Sequence, residues 1–290
     1  MTTTDVTARA HLSDGTRDDR LAHSSWHADG RRTARGTWPY RLAARLSAVN
    51  YLTVAPPRTL ILSVLPRAVL QTAFYALLGQ LSGGASTVAY ALTGAVAYLA
   101  ITPLVVRLPD IATEERYFGT MGRLLTAGIP VPAILAARCV PYLAEALGTW
   151  LAAALIVPVA LHQASLTPHL LLALPAYLLV MLAAMSMGLL VTSTCLGRRS
   201  EVVLSNTLAY TVLALGGILP GPQPGVLAPL AEALPFRPAL DLYRAQVNGT
   251  WDTEMLLRTL LLSAAWTAAA YAIGRALTYR SLRHGHHDLT

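Results

Sequence analysis

The side chains in this sequence that could take part in chemistry are few, and most are charged residues next to apolar segments. The densest set lies between two such segments and consists of Glu114, Glu115, Arg116, Gly119, Thr120 and Arg123. Charged groups of this kind make charge-assisted contacts to a partner surface, and glycines permit close backbone approach. The residues alone leave open a second interpretation, a solvated charge cluster without a partner.

Two further charged residues, Glu145 and Arg67, fall inside apolar segments. An acidic side chain at such a place costs roughly 2.5–3.5 kcal/mol on membrane-insertion scales, so we expect Glu145 to face a helix bundle or an aqueous cavity. Arg138 precedes Glu145 by seven residues, on the same face of a regular helix, and Arg67 is a second possible partner. The sequence leaves three roles open: an ion pair of Glu145 with either arginine, a role in substrate binding, and an Arg67 that extends to the headgroups.

The sequence argues against catalysis in this chain. Its 22 basic residues are all arginine, so no Walker A loop, which requires lysine, can bind ATP here. Cys139 and Cys195 are the two cysteines, we expect both to be free thiols, and no Cys-x-x-Cys or histidine pair suits a zinc site. The terminal histidines His284, His286 and His287 belong either to a solvated tail or to an adventitious metal-binding cluster. An intramembrane enzyme is therefore disfavoured, and no cofactor or metal is expected. A proton-coupled secondary transporter with Glu145 as the proton carrier remains an alternative.

The composition predicts a membrane protein, since 54% of the residues are hydrophobic and 13% are charged, compared with roughly 25% charged in soluble domains. Six apolar stretches each approach the ~20 residues that cross a hydrocarbon core. They lie at about 59–80, 87–106, 133–158, 169–194, 202–219 and 255–274. We therefore predict an all-α polytopic membrane protein with six transmembrane helices.

The arginines predict the orientation of these helices. Residues 1–36 and 281–290 are polar tails, and residues 38–54 have the pattern of an interfacial amphipathic helix. Eighteen of the 22 arginines fall on the side that holds both tails. By the positive-inside rule both termini are expected in the cytosol, and residues 37–280 form one membrane domain.

Two connections are longer than a helical hairpin requires. The first, residues 108–131, is expected on the cytosolic side, with Pro109 ending the second span and a short helix over about 119–126. The second, residues 220–254, is expected outside. Its apolar residues between prolines indicate a re-entrant helical hairpin in the outer leaflet.

Two local patterns carry a resemblance to a known family. The first runs from Glu114 to Leu125, closes in Pro130-Val131-Pro132, and resembles the coupling segment after the second span of type-2 ABC exporter permeases. The second is Leu234-Pro235-Phe236-Arg237, continuing to Arg244 and Gly249, and it resembles the region before the last span of the same family. The resemblance covers about residues 38–280 of the chain.

The resemblance implies a bacterial cell-membrane permease that exports an amphiphilic substrate, such as an antibiotic or other drug, a lipid or a lipid-linked glycan. It implies a dimer with a second permease protomer and two copies of a cytosolic ATPase that binds ATP and Mg²⁺. The charged set around Glu114 would be the ATPase-coupling element. The second and fifth spans would face the other protomer and line the pathway with Tyr90, Thr93, Tyr98, Asn206 and Tyr210. The alternative role of such polar side chains is to hydrogen-bond neighbouring helices.

Overall fold

The structure, a computed structural model, describes residues 37–84, 87–120, 130–196, 200–220 and 225–284. The described residues are helical and contain no strand. The chain divides into two compact units, residues 1–42 and residues 43–290. The described part of the first unit is the beginning of helix α1.

The described helices are numbered here in chain order. They are α1 (Trp38–Val54), α2 (Pro57–Gly83), α3 (Val88–Tyr117), α4 (Val131–Ala160), α5 (Leu166–Leu172), α6 (Leu174–Thr194), α7 (Glu201–Leu215), α8 (Ala228–Ala233), α9 (Phe236–Val247) and α10 (Thr253–His284).

Five of these helices are long and apolar enough to cross a membrane: α2, α3, α4, α6 and α10 up to Arg280. The prediction of an all-helical chain with several apolar helices of spanning length is therefore confirmed. The predicted span at 202–219 corresponds to α7, which is apolar but only 15 residues long.

Prolines account for the irregular turns inside α2 and α3. Pro66 and Pro103 lack the N–H that would bond to the carbonyl four residues earlier, and their rings crowd that carbonyl. In both places the helix widens into a π-helical stretch, Leu60–Val64 before Pro66 and Thr102–Arg107 around Pro103. Such π-helical turns occur frequently at functional sites.

Three details differ from the sequence predictions. Pro109 does not end the second apolar helix, because the chain makes one turn there and continues as the helix Asp110–Tyr117. The segment predicted at 169–194 is divided at Ala173, ahead of Pro175. Of the helix expected over 119–126, Gly119 and Thr120 are not helical, and the remaining residues lie outside the described part of the chain.

The first half of α3 is the centre of the packing. Residues 91–100 are all buried, against α2, α4 and α9. The next residues of α3 contact α6 so closely that a Cβ on Gly188 would lie 1.7 Å from the carbonyl oxygen of Leu104. Residues 91–100 are thus enclosed by helices of their own chain, and the expectation that this second apolar segment faces another protomer stays a prediction for its exposed residues, such as Tyr90.

The helix α9 belongs to the same core. Phe236, Leu240 and Tyr243 are fully buried on one of its faces. Trp150 of α4 donates a hydrogen bond of 3.1 Å to the Tyr243 hydroxyl and stacks on Tyr177 of α6. The helix α9, which lies inside the connection predicted as an external hairpin, thus packs against the two long helices α4 and α6.

Candidate functional site

The charged residues cluster where the C-terminal part of α3 meets α1, α4 and α7. The helix Asp110–Tyr117 follows directly on the π-helical stretch of α3, so its position is tied to a long apolar helix. Its acidic and basic side chains point towards three other helices. We call the set Asn50, Tyr51, Arg107, Glu114, Glu115, Arg116, Arg138, Glu145 and Glu201 the charged junction.

Glu145 is the most deeply buried acid of the charged junction. Nη1 of Arg107 donates to its two carboxylate oxygens at 2.7 and 2.8 Å, and the Tyr51 hydroxyl donates to Oε2 at 2.5 Å. The Glu145 side chain is 3% exposed and that of Arg107 is 29% exposed. A buried carboxylate with these partners is a structural anchor that joins α1, α3 and α4.

Tyr51 stays protonated in this arrangement. Burial, and after it the neighbouring Glu145 carboxylate, raises the pKa of the Tyr51 phenol above its ordinary value. The phenol therefore serves as a hydrogen-bond donor at physiological pH. Its ring also packs edge-on against Tyr142, and the Arg107 guanidinium lies 5.4 Å from its centre.

The pairing of Glu145 differs from the prediction. Neither Arg138 nor Arg67 contacts it. Arg138 instead pairs with Glu115 and lies 3.6 Å from Glu114. The physical reason is a break in the helix at Cys139, which separates Val131–Arg138 from Val140–Ala160 and removes Arg138 from the face of Glu145.

A second set of contacts joins the helix Asp110–Tyr117 to α1 and α4. The amide of Asn50 donates to Oε2 of Glu114 at 2.8 Å. The Ser47 hydroxyl donates to the backbone carbonyl of Arg138 at 2.9 Å, beside the ion pair of Arg138 with Glu115. These contacts hold the end of α1 against both neighbours.

A third contact joins the same helix to α7. Arg116 forms an ion pair of 2.8 Å with Glu201, the first residue of α7, and Thr113 donates to the same carboxylate at 2.9 Å. Both ionic side chains are largely buried. The helix Asp110–Tyr117 is therefore connected to three helices by charged or polar side chains.

The predicted coupling residues differ in the contacts that they make. Glu114, Glu115 and Arg116 use their charges within the chain, as described above. Thr120 donates to the Glu115 carboxylate, and Gly119 has a positive φ of 66° with open space around it. Arg123 lies outside the described residues.

Sequence reasoning missed two exposed aromatics beside these charges. Tyr117 is 85% exposed and Phe118 is 63% exposed, and their rings pack edge-on at 5.4 Å. Exposed aromatic pairs are typical of protein–protein contact sites. The sequence feature that could have indicated them is the aromatic dipeptide Tyr117-Phe118, which directly follows the charged residues.

Comparison of the chain with protein-family models, with curated protein sequences and with solved structures gave no match. Within the described residues there is also no group of three or more histidine, cysteine or acidic side chains that could hold a metal ion.

The polar residues predicted for a substrate pathway do not form one surface. Thr93 and Tyr98 are buried, and they donate to the carbonyls of Ala89 and Ala209 at 2.7 and 3.1 Å. Tyr210 is exposed, and Asn206 is half-buried on α7. For Thr93 and Tyr98 the structure favours the hydrogen-bonding role between or within helices.

Tyr90, the remaining pathway residue, contacts Arg244 of α9. The Arg244 guanidinium lies 3.5 Å from the centre of the Tyr90 ring, and Nη2 donates to the carbonyls of Tyr90 and Ile218 at 3.2 and 3.3 Å. The Tyr90 hydroxyl donates to the carbonyl of Gly217 at 3.2 Å. Arg244 thus joins α9 to the beginning of α3 and to the end of α7.

Arg67 is exposed on α2, ten residues after its beginning at Pro57. Among the described residues it has no ion pair or hydrogen bond through its side chain. It lines a cavity together with Arg107 and Glu145 but does not replace Arg107 as the partner of Glu145.

Proposed function

We propose that this chain is the membrane-spanning permease subunit of an ATP-driven exporter, similar to type-2 ABC exporter permeases. It would move an amphiphilic substrate, such as a drug-like antibiotic, a lipid or a lipid-linked glycan, out of a bacterial cell. A second protomer and two copies of a separate cytosolic ATPase would complete the transporter. The chain itself would hydrolyse no ATP.

The observation that carries this proposal is the charged junction. A permease without a nucleotide site must be driven mechanically, through an element that is both accessible to its motor and rigidly joined to the spanning helices. The helix Asp110–Tyr117 is joined by polar contacts to α1, α4 and α7, and it ends in the exposed rings of Tyr117 and Phe118. Force applied to those rings would act on four helices together.

The proposed topology has six spans. The helix α7 covers about 22 Å of the ~30 Å core at 1.5 Å per residue, and the non-helical residues 216–220 would complete the crossing. Both termini would then lie in the cytosol with the charged junction. Residues 220–254, including α8 and α9, would form an external re-entrant hairpin.

The geometry of Glu145 supports an anchoring role and gives no support to proton-coupled transport. Both of its oxygens have partners, from Arg107 and Tyr51. A Glu145→Gln variant that keeps ATP-driven export would exclude Glu145 as a proton carrier. A variant that is folded and assembled with its ATPase but inactive in export would support the proton-coupled alternative.

Cysteine cross-linking tests the ATPase contact. Phe118→Cys places a reactive group at the proposed contact, and Ala164→Cys places one in an exposed connection at the opposite end of α4. In native membranes we expect Phe118→Cys, and not Ala164→Cys, to capture a protein whose peptides contain a Walker A loop. Capture of that protein by neither variant, or ATP hydrolysis by the purified chain alone, would contradict the proposal.

A further inference from the structure

Two adjoining cavities lie between α1, α2 and α4, and the second of them is also lined by α3. One has a volume of about 320 Å³ and is lined mainly by apolar side chains, among them Leu52, Leu60, Leu65 and Val140. The other, which we call the polar cavity, has a volume of about 270 Å³ and a mixed lining, in which the polar residues Ser63, Gln71 and Thr102 lie among apolar ones. Val64, Glu145 and Thr149 line both. The pair forms one amphipathic space.

The polar cavity carries a surplus of positive charge. Its ionisable lining residues are Arg67, Arg107 and Glu145. Because Glu145 is paired with Arg107, the charge left over is that of Arg67, which has no acidic partner among the described residues. An arginine ten residues into an apolar helix is costly unless an anion or water reaches it.

Both cavities open towards the surroundings of the helices. Ser63 and Arg67 at the polar cavity and Leu52 and Gly148 at the apolar one are exposed. A Cβ added to Gly148 would meet nothing within 4 Å. The π-helical stretches Leu60–Val64 and Thr102–Arg107 each contribute lining residues, so the irregular turns shape this space.

We propose that this space binds an anionic phospholipid of the surrounding bilayer. The headgroup phosphate pairs with Arg67 in the polar cavity, and Ser63 and Gln71 supply further hydrogen bonds. One acyl chain lies in the apolar cavity beside Gly148. Charge complementarity selects an anionic lipid over a zwitterionic one, and the apolar cavity selects a lipid over a free anion.

The bound lipid would position the charged junction. Its phosphate lies beside the Arg107–Glu145 pair, which joins α3 to α4, and its chain lies against Tyr51 of α1. This proposal requires a membrane but does not depend on transport, so it can fail or succeed independently of the exporter function.

Native mass spectrometry of the full chain, released from vesicles of phosphatidylglycerol and phosphatidylcholine, tests the site. We expect the unaltered protein to retain phosphatidylglycerol preferentially. Arg67→Gln should lower that preference about fivefold, the factor expected for one arginine against an anionic lipid. Arg67→Lys should keep most of it. The control Arg58→Gln, at an exposed arginine that lines neither cavity, should change nothing.

A second variant tests the apolar cavity. Gly148→Leu should fill it and reduce retention of both lipids, whereas Ala160→Leu, at an exposed position of the same helix, should not. Unchanged retention in Gly148→Leu or in Arg67→Gln would overturn the proposal. The proposal would also be overturned if Arg58→Gln lowered the preference for phosphatidylglycerol as much as Arg67→Gln does. A further contradicting result would be displacement of the lipid by inorganic phosphate at the same concentrations at which short-chain phosphatidylglycerol displaces it.

Discussion

Arg107 and Glu145 are 38 residues apart in the chain, and one guanidinium nitrogen of the arginine contacts both oxygens of the acid. Arg107 is the last residue of a π-helical stretch, and Glu145 lies in the second turn of a helix that restarts after Cys139. The pair therefore joins two helices at the places where both are irregular. Loss of this ion pair should therefore weaken the packing of α1, α3 and α4 together.

We expect Glu145→Ala to destabilise the protein by about 3–5 kcal/mol, because it leaves a largely buried arginine without its anion. The control is Glu232→Ala, whose partner Arg258 lies at 3.5 Å with both side chains well exposed, and which should cost about 0–1 kcal/mol. Thermal unfolding in detergent measures both. Equal shifts in the two variants would contradict the anchoring role of Glu145.

Alanine substitutions at Gly188 and Gly148 compare a closely packed glycine with one that has open space around it. Gly188→Ala would force a methyl group into the backbone of Leu104 and should cost at least about 1–3 kcal/mol. Gly148→Ala meets open space and should be neutral or stabilising by up to ~1 kcal/mol. The unfolding temperatures of the two variants should move in different directions. Tolerance of alanine at 188 would show that α3 and α6 are not this close.

The Arg138–Glu115 pair can be tested by exchange of charges. Glu115→Arg should destabilise the protein because it places two arginines together. Adding Arg138→Glu should restore part of the loss, although Glu114 lies near the new acid. A thermodynamic cycle should give a coupling of about 0.5–3 kcal/mol. A coupling energy of zero would show that Glu115 and Arg138 do not interact, and that this ion pair does not join the helix Asp110–Tyr117 to α4.

Cysteine labelling tests the proposed orientation. Cys139 and Cys195 are buried, and burial raises the pKa of the Cys195 thiol, so the native background should be low. A membrane-impermeant maleimide should label Ala164→Cys on intact cells and Phe118→Cys only after permeabilisation. The reverse pattern would place the charged junction outside the cell and invert the topology.

Arg244 and Tyr90 provide a test of how α9 is attached. Tyr90→Phe keeps the ring under the guanidinium and should cost about 0.5–1.5 kcal/mol, the value of one hydrogen bond. Tyr90→Ala also removes the cation–π contact, so the loss should exceed that of Tyr90→Phe by roughly 1–2 kcal/mol. Protection of residues 236–247 in hydrogen exchange should fall in the same order. Equal effects of the two substitutions would show that the ring contributes nothing.

The sequence predicted the five long apolar helices but not the contacts between them. Runs of apolar residues predicted the long helices, because a helix that can cross a bilayer requires about 20 consecutive apolar residues, which is a property of the local sequence. The partner of Glu145 was mistaken because the seven-residue spacing from Arg138 assumes an unbroken helix. The helix ends and restarts at Cys139, and the π-helical stretch that ends at Arg107 adds a residue that helical periodicity does not anticipate.

The burial of the polar residues on α3 could not be predicted from the sequence either. Tyr98 and Thr93 have the composition of a pathway lining, yet both are enclosed. Whether a hydroxyl faces a pore or a neighbouring carbonyl depends on the rotation of the helix in the bundle. That rotation is set by close contacts such as Gly188 with Leu104, which involve residues far apart in the chain.

The buried position of residues 91–98 has a consequence for the order of assembly. Of the three helices with which this segment packs most extensively, α2, α4 and α9, only α2 precedes it in the chain. In the proposed membrane topology, the segment would remain in contact with lipid during synthesis until α4 and α9 have been made and can replace that lipid. The segment would thus be exposed to lipid first and enclosed by protein later, and its uncharged, apolar sequence suits both environments.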